Sequence, residues 1–591
     1  MQTSADNVLE RILAKTIDKQ QALQSFGTLT EHERSQVLVG LRSRLGSQLQ
    51  GIDPAPSVAP AAEATAPTLK SVHEGDLSEA QERYIAELSK RFAARVPKSK
   101  HNATAHQLHF VDQRKVAGLK RALKSMQFQL TYERAEGSSL YDVDGNRYVD
   151  ITGDNGVNFF GHQPEFMKAA LIKRLNQGYP LVAYSEDLFE AARLFCEITG
   201  HERMVFAQTG TEAVMWAVRI ARAATGKKKI VIFDGSYHGL SDTVLAIKGR
   251  NGASLSAGLG LLQEFADQLM ILDYGKMEEL ETIESHAADI ACVLTEPIQS
   301  RFPNRQPVEF IRELRRLTLE KDIVLIFDEM ITGFRAGRKG AEGFYKVKPD
   351  LATYGKVPGG GMPTGIIAGL AKYMDYVDGG VWGFDDRSMP SLKRAVIAGT
   401  HTQNSLKVTA TVAACTEMKR LCQSADCDYQ SCTCPVGELN RRTSRMCNEI
   451  NAYFQDKRVP LALEYFSSLF RLLVTDDPYG LVRELLIILL KVNGIETSTS
   501  GNSFLNLAHT DADVRSIVDG FKRSVDTLLE QGFFCEAPVQ SEPEAAVAAV
   551  AAPEIKVQSS PVSAGPVART ARERLKDLLL ADLRSINGEG N

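Results

Sequence analysis

One lysine stands just ahead of a run of glycines in the segment DLATYGKVPGGGMPTG (350–365). Lys356 follows a short apolar run, and the glycines at 359–361 come soon after it. Glycines let the backbone approach a bulky ligand closely. A lysine in a partly desolvated site loses its proton more readily and becomes an amine nucleophile. This segment therefore predicts a lysine that bonds covalently to an aldehyde ligand in a tight cleft.

A carboxylate is expected close to this lysine. The run DIVLIF (322–327) has the pattern of a buried strand, and Asp328 follows it directly. A carboxylate at the end of a buried strand needs a cationic or hydrogen-bonding partner to remain ionised, and the N–H of a pyridinium ring is such a partner. A metal ligand and a helix cap are the alternative roles for Asp328.

A turn of small residues precedes the helical pattern of QTGTEAVMWAVRIAR (208–222). It consists of Thr209, Gly210 and Thr211. The backbone N–H groups and the dipole at the start of a helix attract anions such as phosphate, and the two hydroxyls add possible donors. An ordinary capped helix is the alternative explanation.

An aromatic pair follows the strand pattern KKIVIF (228–233). Tyr237 and His238 lie in the glycine-flanked loop FDGSYHG (233–239), where ligands of α/β sheets bind. An aromatic ring there can stack on a planar ligand, although an unremarkable core or surface pair would look the same. A phosphate cradle, a stacking ring, a carboxylate for a ring nitrogen and a nucleophilic lysine together describe a site for pyridoxal 5'-phosphate (PLP).

The elements that must position these groups follow an α/β pattern. The β-branched runs at 228–233, 291–295 and 322–327 alternate with helical stretches, which is typical of a mostly parallel sheet. We expect this central body to cover residues 78–535, between Pro- and Ala-rich linkers at 49–77 and 536–566. Apolar periodicity predicts helical extensions at 1–48 and 567–591, which either dock a partner or pack on their own body.

Charge and composition exclude several classes of function. The formal net charge of -4 gives no reason to expect nucleic acid or an anionic membrane as partner. The start of the chain lacks a signal-peptide pattern, and the most apolar run, LLIILL (485–490), is too short to span a bilayer. We therefore expect a cytoplasmic protein.

Four cysteines cluster in one short segment: Cys422, Cys427, Cys432 and Cys434. Their spacing matches no standard zinc-ligand pattern, so we predict a cysteine-rich surface loop, with a metal or redox role as the alternative. Without an export signal, the thiols are expected to be reduced.

The central body resembles the class III, fold-type I PLP aminotransferases. The resemblance is carried, in family order, by GSSLYDVDGNRYVDITG (137–153), TGTEAVMWAVRIARAATGKKKIVIFDGSYHG (209–239), LIFDEMITGFR (325–335), YGKVPGGGMPTG (354–365) and AGTHTQNSL (398–406). It implies a large domain over about 165–400 with a seven-stranded, mostly parallel sheet. A small α+β domain would come from about 105–164 and 401–535.

Two subgroups of this family are similar to the chain. They are glutamate-1-semialdehyde aminomutase and the aminotransferase domains of polyketide and nonribosomal peptide assembly lines. The second is favoured by GVNFFGHQP (156–164), VDQRKVAGLKRALK (111–124), FSSLFRLLV (466–474) and FLNLAHTDADV (504–514). In addition, DNGV (154–157) stands where the mutase has an aromatic residue near its substrate.

The resemblance implies a role for each candidate residue. Lys356 would bond to the cofactor and move the substrate proton, and Asp328 would pair with the pyridine nitrogen. Gly210 and Thr211, beside Thr209, would bind the phosphate.

Further residues would surround the cofactor ring. Tyr237 would stack on the ring with His238 beside it, and Glu296 and Gln299 would line its hydroxyl side. Thr400 would reach the phosphate of a neighbouring subunit, which implies a homodimer. Arg471 is a candidate for binding the donor carboxylate, and a structural salt bridge is its alternative role.

The expected reaction moves an amino group from glutamate or glutamine to a keto or aldehyde group of an acyl chain. Because the chain lacks the Asp-Ser-Leu signature of a carrier domain, the acyl chain would arrive on a separate acyl carrier protein. The alternatives are an aminomutase, an aminotransferase for free small-molecule carbonyls, and a scaffold without catalysis. The acceptor's chain length and the position of its carbonyl stay open, because loops shape the substrate pockets of this fold.

Overall fold

The computed structural model describes residues 69–424, 429, 432–477, 480–499 and 501–536. The helical extensions predicted for 1–48 and 567–591 lie outside these residues, as do positions 49–68 and 537–566 of the predicted linkers. Residues 69–77, predicted to be linker, instead belong to the folded body. Their first strand pairs antiparallel with the last strand of the body, and Leu69 lies opposite Glu536.

The strands alternate with helices through the central body, as predicted. In chain order the strands are β1 (Leu69–Ser71), β2 (Tyr132–Glu136), β3 (Ser139–Asp142), β4 (Arg147–Asp150), β5 (Arg203–Ala207), β6 (Lys229–Phe233), β7 (Ala246–Lys248), β8 (Ser254–Ser256), β9 (Leu269–Leu272), β10 (Ile290–Thr295), β11 (Val324–Asp328), β12 (Leu351–Gly355), β13 (Gly365–Gly369), β14 (Leu461–Phe466), β15 (Leu469–Val474), β16 (Ile495–Glu496), β17 (Asn502–Phe504) and β18 (Phe534–Glu536).

The helices cover the sheets and connect their strands. In chain order they are α1 (Glu79–Arg95), α2 (Pro97–Ala105), α3 (Gly153–Gly156), α4 (Glu165–Asn176), α5 (Glu186–Thr199), α6 (Gly210–Thr225), α7 (Gln263–Ala266), α8 (Glu278–Ser285), α9 (Val308–Glu320), α10 (Gly340–Tyr345), α11 (Ala371–Asp378), α12 (Ser405–Leu421), α13 (Pro435–Asp456), α14 (Leu481–Val492) and α15 (Asp511–Glu530). No helix among the described residues is long and apolar enough to cross a membrane.

A seven-stranded sheet forms the large domain, in the order β5-β13-β12-β11-β10-β6-β9. Only β13 runs antiparallel to its neighbours, so the predicted mostly parallel sheet is confirmed. The three runs predicted as strands are β6, β10 and β11. Apolar side chains on both faces bury these strands, and their carboxyl ends meet at one edge of the sheet.

The described residues also form two-stranded sheets, β1-β18 and β7-β8, and two larger ones, β14-β15-β17 and β16-β4-β3-β2. The strands of the latter two sheets come from the segments predicted for the small domain. Helix α12, placed in that domain by the predicted boundary at 401, packs instead against α4, α5 and the turn after Lys356. It therefore lies beside the large domain.

The cysteine cluster lies between α12 and α13. Cys427 is outside the described residues, whereas the sulfur atoms of Cys422 and Cys434 lie 3.2 Å apart. Cys422 is buried, and Cys434 caps α13 by accepting a hydrogen bond from the backbone N–H of Gly437. The prediction of a plain surface loop is thus wrong at these two positions, because the loop ends are packed into the body.

Candidate active site

A cavity of about 320 Å³ lies at the carboxyl edge of the large sheet. Eight of the ten predicted site residues line it: Thr209, Gly210, Thr211, Tyr237, His238, Glu296, Asp328 and Lys356. They come from the ends of four strands and the start of α6, which the parallel sheet brings to one edge.

Lys356 follows the last residue of β12 and has a strained backbone, with φ 51° and ψ -101°. A positive φ is uncommon for a residue with a side chain, and such strain concentrates at functional sites. Burial lowers the pKa of Lys356, and the neighbouring Asp328 partly opposes this effect. A lysine with a lowered pKa supplies the neutral amine that attacks an aldehyde.

Asp328 is buried at the end of β11 and is held from two sides. Its Oδ2 lies 2.8 Å from His238 Nδ1, and because a carboxylate only accepts, the ring N–H donates. Its Oδ1 accepts from the backbone N–H of Met330 at 3.2 Å and from Thr353 Oγ1 at 3.3 Å. These bonds fix the orientation of the carboxylate at the cavity wall, where it can accept from a cationic ring N–H.

The start of α6 forms a cradle suited to an anion. Thr209 caps the helix, and its Oγ1 accepts from the backbone N–H of Glu212 at 3.2 Å. The first N–H groups of a helix have no partner within it and can bind an anion. Gly239, with φ +90°, packs so tightly on Thr211 that a Cβ there would lie 2.7 Å from Thr211 Oγ1. Only glycine fits this approach.

Glu296 fixes the loop that carries the aromatic side chain of the cavity. Its Oε2 accepts from the backbone N–H of Tyr237 at 3.0 Å, and its Oε1 accepts from that of Ser300 at 3.3 Å. Burial raises the pKa of Glu296. The Tyr237 side chain itself is half exposed and lines the cavity, so its ring is available to cover a planar ligand.

Two predicted site residues do not line this cavity. Gln299 is buried behind it, where its Nε2 donates to the backbone oxygen of Asp234 and to Ser236 Oγ, so the amide holds the Tyr237 loop instead. Thr400 is exposed outside the cavity, and its contact with a neighbouring subunit stays a prediction. Arg471 is also outside the lining and donates to Asn502 Oδ1 at 2.7 Å.

Sequence reasoning missed two threonines of the site. Thr353 lies opposite Asp328 in the β11–β12 register, a pairing that strand patterns alone do not reveal. Thr364 lines the cavity, and its buried Oγ1 has no hydrogen-bond partner among the described residues. Buried hydroxyls are normally paired, so this orphaned group indicates a polar ligand in the cavity. Its position after the glycine run was the available signal.

The segment DNGV forms an unusual turn beside the cavity. The four residues of α3 have φ values of 50°, 50°, 58° and 87°, a left-handed conformation that Gly, Asp and Asn tolerate best. Buried Arg335 donates to the backbone oxygen of Gly156 and, at 2.9 Å, to Ser468 Oγ. The turn brings Val157 onto the cavity wall.

These residues fit PLP. The cradle at α6 and the Thr364 hydroxyl suit its phosphate, Asp328 suits its ring nitrogen and Tyr237 suits its ring face. Lys356 supplies the amine that its aldehyde requires.

Comparison with known proteins agrees with this arrangement. The family model for class III aminotransferases matches residues 121–426. Glutamate-1-semialdehyde 2,1-aminomutase of Persephonella marina is 32% identical over 415 residues, covering 67% of this chain and 91% of that protein.

Solved structures with the same fold include a β-phenylalanine aminotransferase from Variovorax paradoxus. It is 26% identical, with a TM-score of 0.62 and coverage of 76% of this chain and 98% of that one. A glutamate-1-semialdehyde aminomutase from Pseudomonas aeruginosa PAO1 has a TM-score of 0.65 at 20% identity, covering 76% and 99% of the two chains. With the family match spanning the strands that build the cavity, the chain belongs to the class III, fold-type I aminotransferases, which depend on PLP.

Proposed function

We propose that this aminotransferase moves an amino group from glutamate or glutamine to a keto or aldehyde carbon of an acyl chain on a separate carrier protein. The observation that carries the proposal is the DNGV turn (154–157), which replaces the mutase segment that has an aromatic residue near its substrate and puts aliphatic Val157 on the cavity wall. An aliphatic wall suits an apolar acyl chain better than a small dicarboxylate-derived substrate. The reaction would serve polyketide or nonribosomal peptide biosynthesis.

The chain's own residues divide the chemical work. Bound PLP withdraws electrons from the substrate carbon that carries the amino group. The Lys356 amine, whose pKa burial lowers, would take the proton from that carbon of the donor and, in the second half of the reaction, deliver a proton to the former carbonyl carbon of the acceptor. Asp328, held by His238, would accept a hydrogen bond from the pyridinium N–H of PLP and favour its protonated form.

The remaining residues hold and orient. The N–H groups at the start of α6 and the Thr211 side chain would bind the phosphate of PLP, and Tyr237 would cover one face of its ring. Glu296 positions Tyr237 by accepting a hydrogen bond from its backbone N–H, with the nitrogen 3.0 Å from Oε2.

A homodimer is part of this proposal. Five large apolar side chains precede Thr400 and are almost fully exposed in the single chain: Val381, Phe384, Met389, Leu392 and Val396. Exposed apolar groups this close together in the chain are typical of a protein interface. A second subunit that covers them would bring Thr400 close to the phosphate of its neighbour.

The aminomutase is the second candidate function, favoured by the relative that is 32% identical. A mutase returns the amino group to the molecule that supplied it, so it needs no external donor. The two activities therefore differ in whether glutamate alone converts the enzyme to its pyridoxamine form.

The visible absorption spectrum of the PLP-loaded protein tests the function. We expect the long-wavelength band to bleach on adding glutamate or glutamine and to return on adding a ketoacyl carrier protein. Lys356→Ala should show neither change. A band that ignores both donors but responds to glutamate-1-semialdehyde would establish the mutase instead, and a band restored equally well by small free carbonyls would remove the carrier from the proposal.

A further inference from the structure

A second cavity, of about 350 Å³, adjoins the first. Val157 lines both cavities. The two linings are also contiguous along the chain, since Gly361 lines the second cavity and the next residue, Met362, lines the first. The two cavities are therefore neighbours that meet at Val157.

The lining of the second cavity is mostly apolar. Helix α4 supplies one wall with Met167, Leu171 and Ile172, and Phe160 lies on the segment before it. Lys168 contributes the charge of the lining, and its side chain is exposed, so its head group stays in water. This chemistry selects an aliphatic ligand rather than an anionic one.

Two glycines of the run after Lys356, Gly360 and Gly361, line this second cavity. Gly360 packs so closely on α4 that a Cβ there would lie 2.4 Å from Met167 Cε. Gly361 has φ +92°, and a Cβ there would meet no atom within 4 Å, so its side faces open space. The glycines thus keep a floor free of side chains next to the active lysine.

We propose that the second cavity binds the aliphatic tail of the acyl acceptor and makes the enzyme selective for longer chains. This inference rests on the proposed function, whose acceptor it narrows to an acyl group with several methylenes beyond its carbonyl. With the carbonyl beside Lys356, the tail runs past Val157 between α4 and the glycine floor. Each methylene moved from water into this cavity strengthens binding by up to about fourfold.

A filling variant and a matched control on the same helix test the proposal. Leu171→Trp places a bulky ring in the cavity, whereas Leu175→Trp adds the same ring one helical turn later at a half-exposed position outside the lining. The PLP-loaded enzymes would be compared by kcat/KM with pantetheine thioesters of a four-carbon and a ten-carbon ketoacyl group. Wild type and Leu175→Trp should prefer the longer acceptor by at least tenfold, and Leu171→Trp should lose that preference.

A binding measurement separates this proposal from the proposed function. Calorimetric titration with decanoyl-pantetheine, which has no ketone to aminate, reports on the cavity alone. We expect binding at least tenfold weaker in Leu171→Trp than in Leu175→Trp. If this pattern holds while glutamate fails to bleach the wild-type spectrum, the proposed function falls and the cavity assignment stands.

Other outcomes overturn the cavity assignment. Equal binding by both variants, or wild-type enzyme without a chain-length preference, would show that no acyl tail enters the cavity. A change in sedimentation confined to Leu171→Trp, without a change in chain-length preference, would assign the cavity to a contact with a second copy of the chain.

Discussion

The carboxylate of Asp328 receives hydrogen bonds on both oxygens, and the two differ enough to predict different losses. His238 Nδ1 donates to Oδ2 at 2.8 Å between side chains that are only 1% and 2% exposed. Thr353 Oγ1 donates to Oδ1 at 3.3 Å. Removing each donor by His238→Leu or Thr353→Val leaves the carboxylate itself in place.

The expected magnitudes follow from these geometries. A buried hydrogen bond to a charged group contributes about 1.5–3 kcal/mol, which corresponds to about 10- to 150-fold in rate if it is needed in the transition state. The long hydroxyl bond is worth about 0.5–1 kcal/mol, or about two- to fivefold. We therefore expect His238→Leu to slow the reaction much more than Thr353→Val.

The assay is the single-turnover rate of bleaching by glutamate, with PLP saturating so that altered cofactor affinity does not contribute. Thermal unfolding of each variant would show whether the fold is intact. Thr353→Val matching or exceeding the loss in His238→Leu would refute the idea that His238 positions the carboxylate. If both variants react within twofold of the wild-type rate, the hydrogen bonds that orient Asp328 do not contribute to the rate.

Two further predictions concern the cofactor cradle and pH. Gly239→Ala adds a Cβ 2.7 Å from Thr211 Oγ1. Titration of the cofactor-free protein with PLP should therefore show at least tenfold weaker affinity than in wild type. Gly226 also has a left-handed backbone but open space around it, so Gly226→Ala should leave the affinity for PLP unchanged. Equal affinities would contradict the cradle. Burial raises the pKa of Glu342 from 4.5 to about 8, so the folded state retains a proton that the unfolded state loses between these values. The stabilisation from this carboxyl is complete below pH 4.5 and is lost as pH rises through about 8, by up to about 5 kcal/mol. Urea unfolding at pH 5 and pH 9 should therefore show that the free energy of unfolding depends less on pH in Glu342→Gln than in wild type. An unchanged pH dependence would contradict the raised pKa.

Eight site residues predicted from the sequence line one cavity, and the physical reason is simple. Short apolar runs rich in β-branched residues, such as the one before Asp328, form buried strands here, and parallel strands end at the same edge of their sheet. Residues that follow those runs are therefore neighbours in space even when they are far apart in sequence. Glycines with positive φ near Lys356 and Tyr237 allow the chain to turn tightly at this edge of the sheet.

Contacts that depend on pairing across the fold were not predictable in the same way. Thr353 reaches Asp328 only because β11 and β12 pair in one register, and a shift of one residue would turn it away. Gln299 was assigned to the cofactor by its motif, but it does not line the cavity, and its amide nitrogen donates to the loop at Asp234. The apolar runs in the sequence predict which residues lie at the carboxyl edge of the large sheet. They do not predict which of those side chains face the cavity.

The DNGV turn depends on both kinds of information, because a residue far from it in sequence, Arg335, bonds to its backbone. Arg335 is buried without a carboxylate partner among the described residues, and burial lowers its pKa to about 9. A guanidinium in such a place is costly, so its retention calls for a compensating role. Its bond to the backbone oxygen of Gly156 holds four left-handed residues in register and fixes Val157 between the two cavities. We therefore expect the size and polarity of this one position, rather than Lys356 and Asp328, to decide which carbonyl compounds can extend beyond the cofactor.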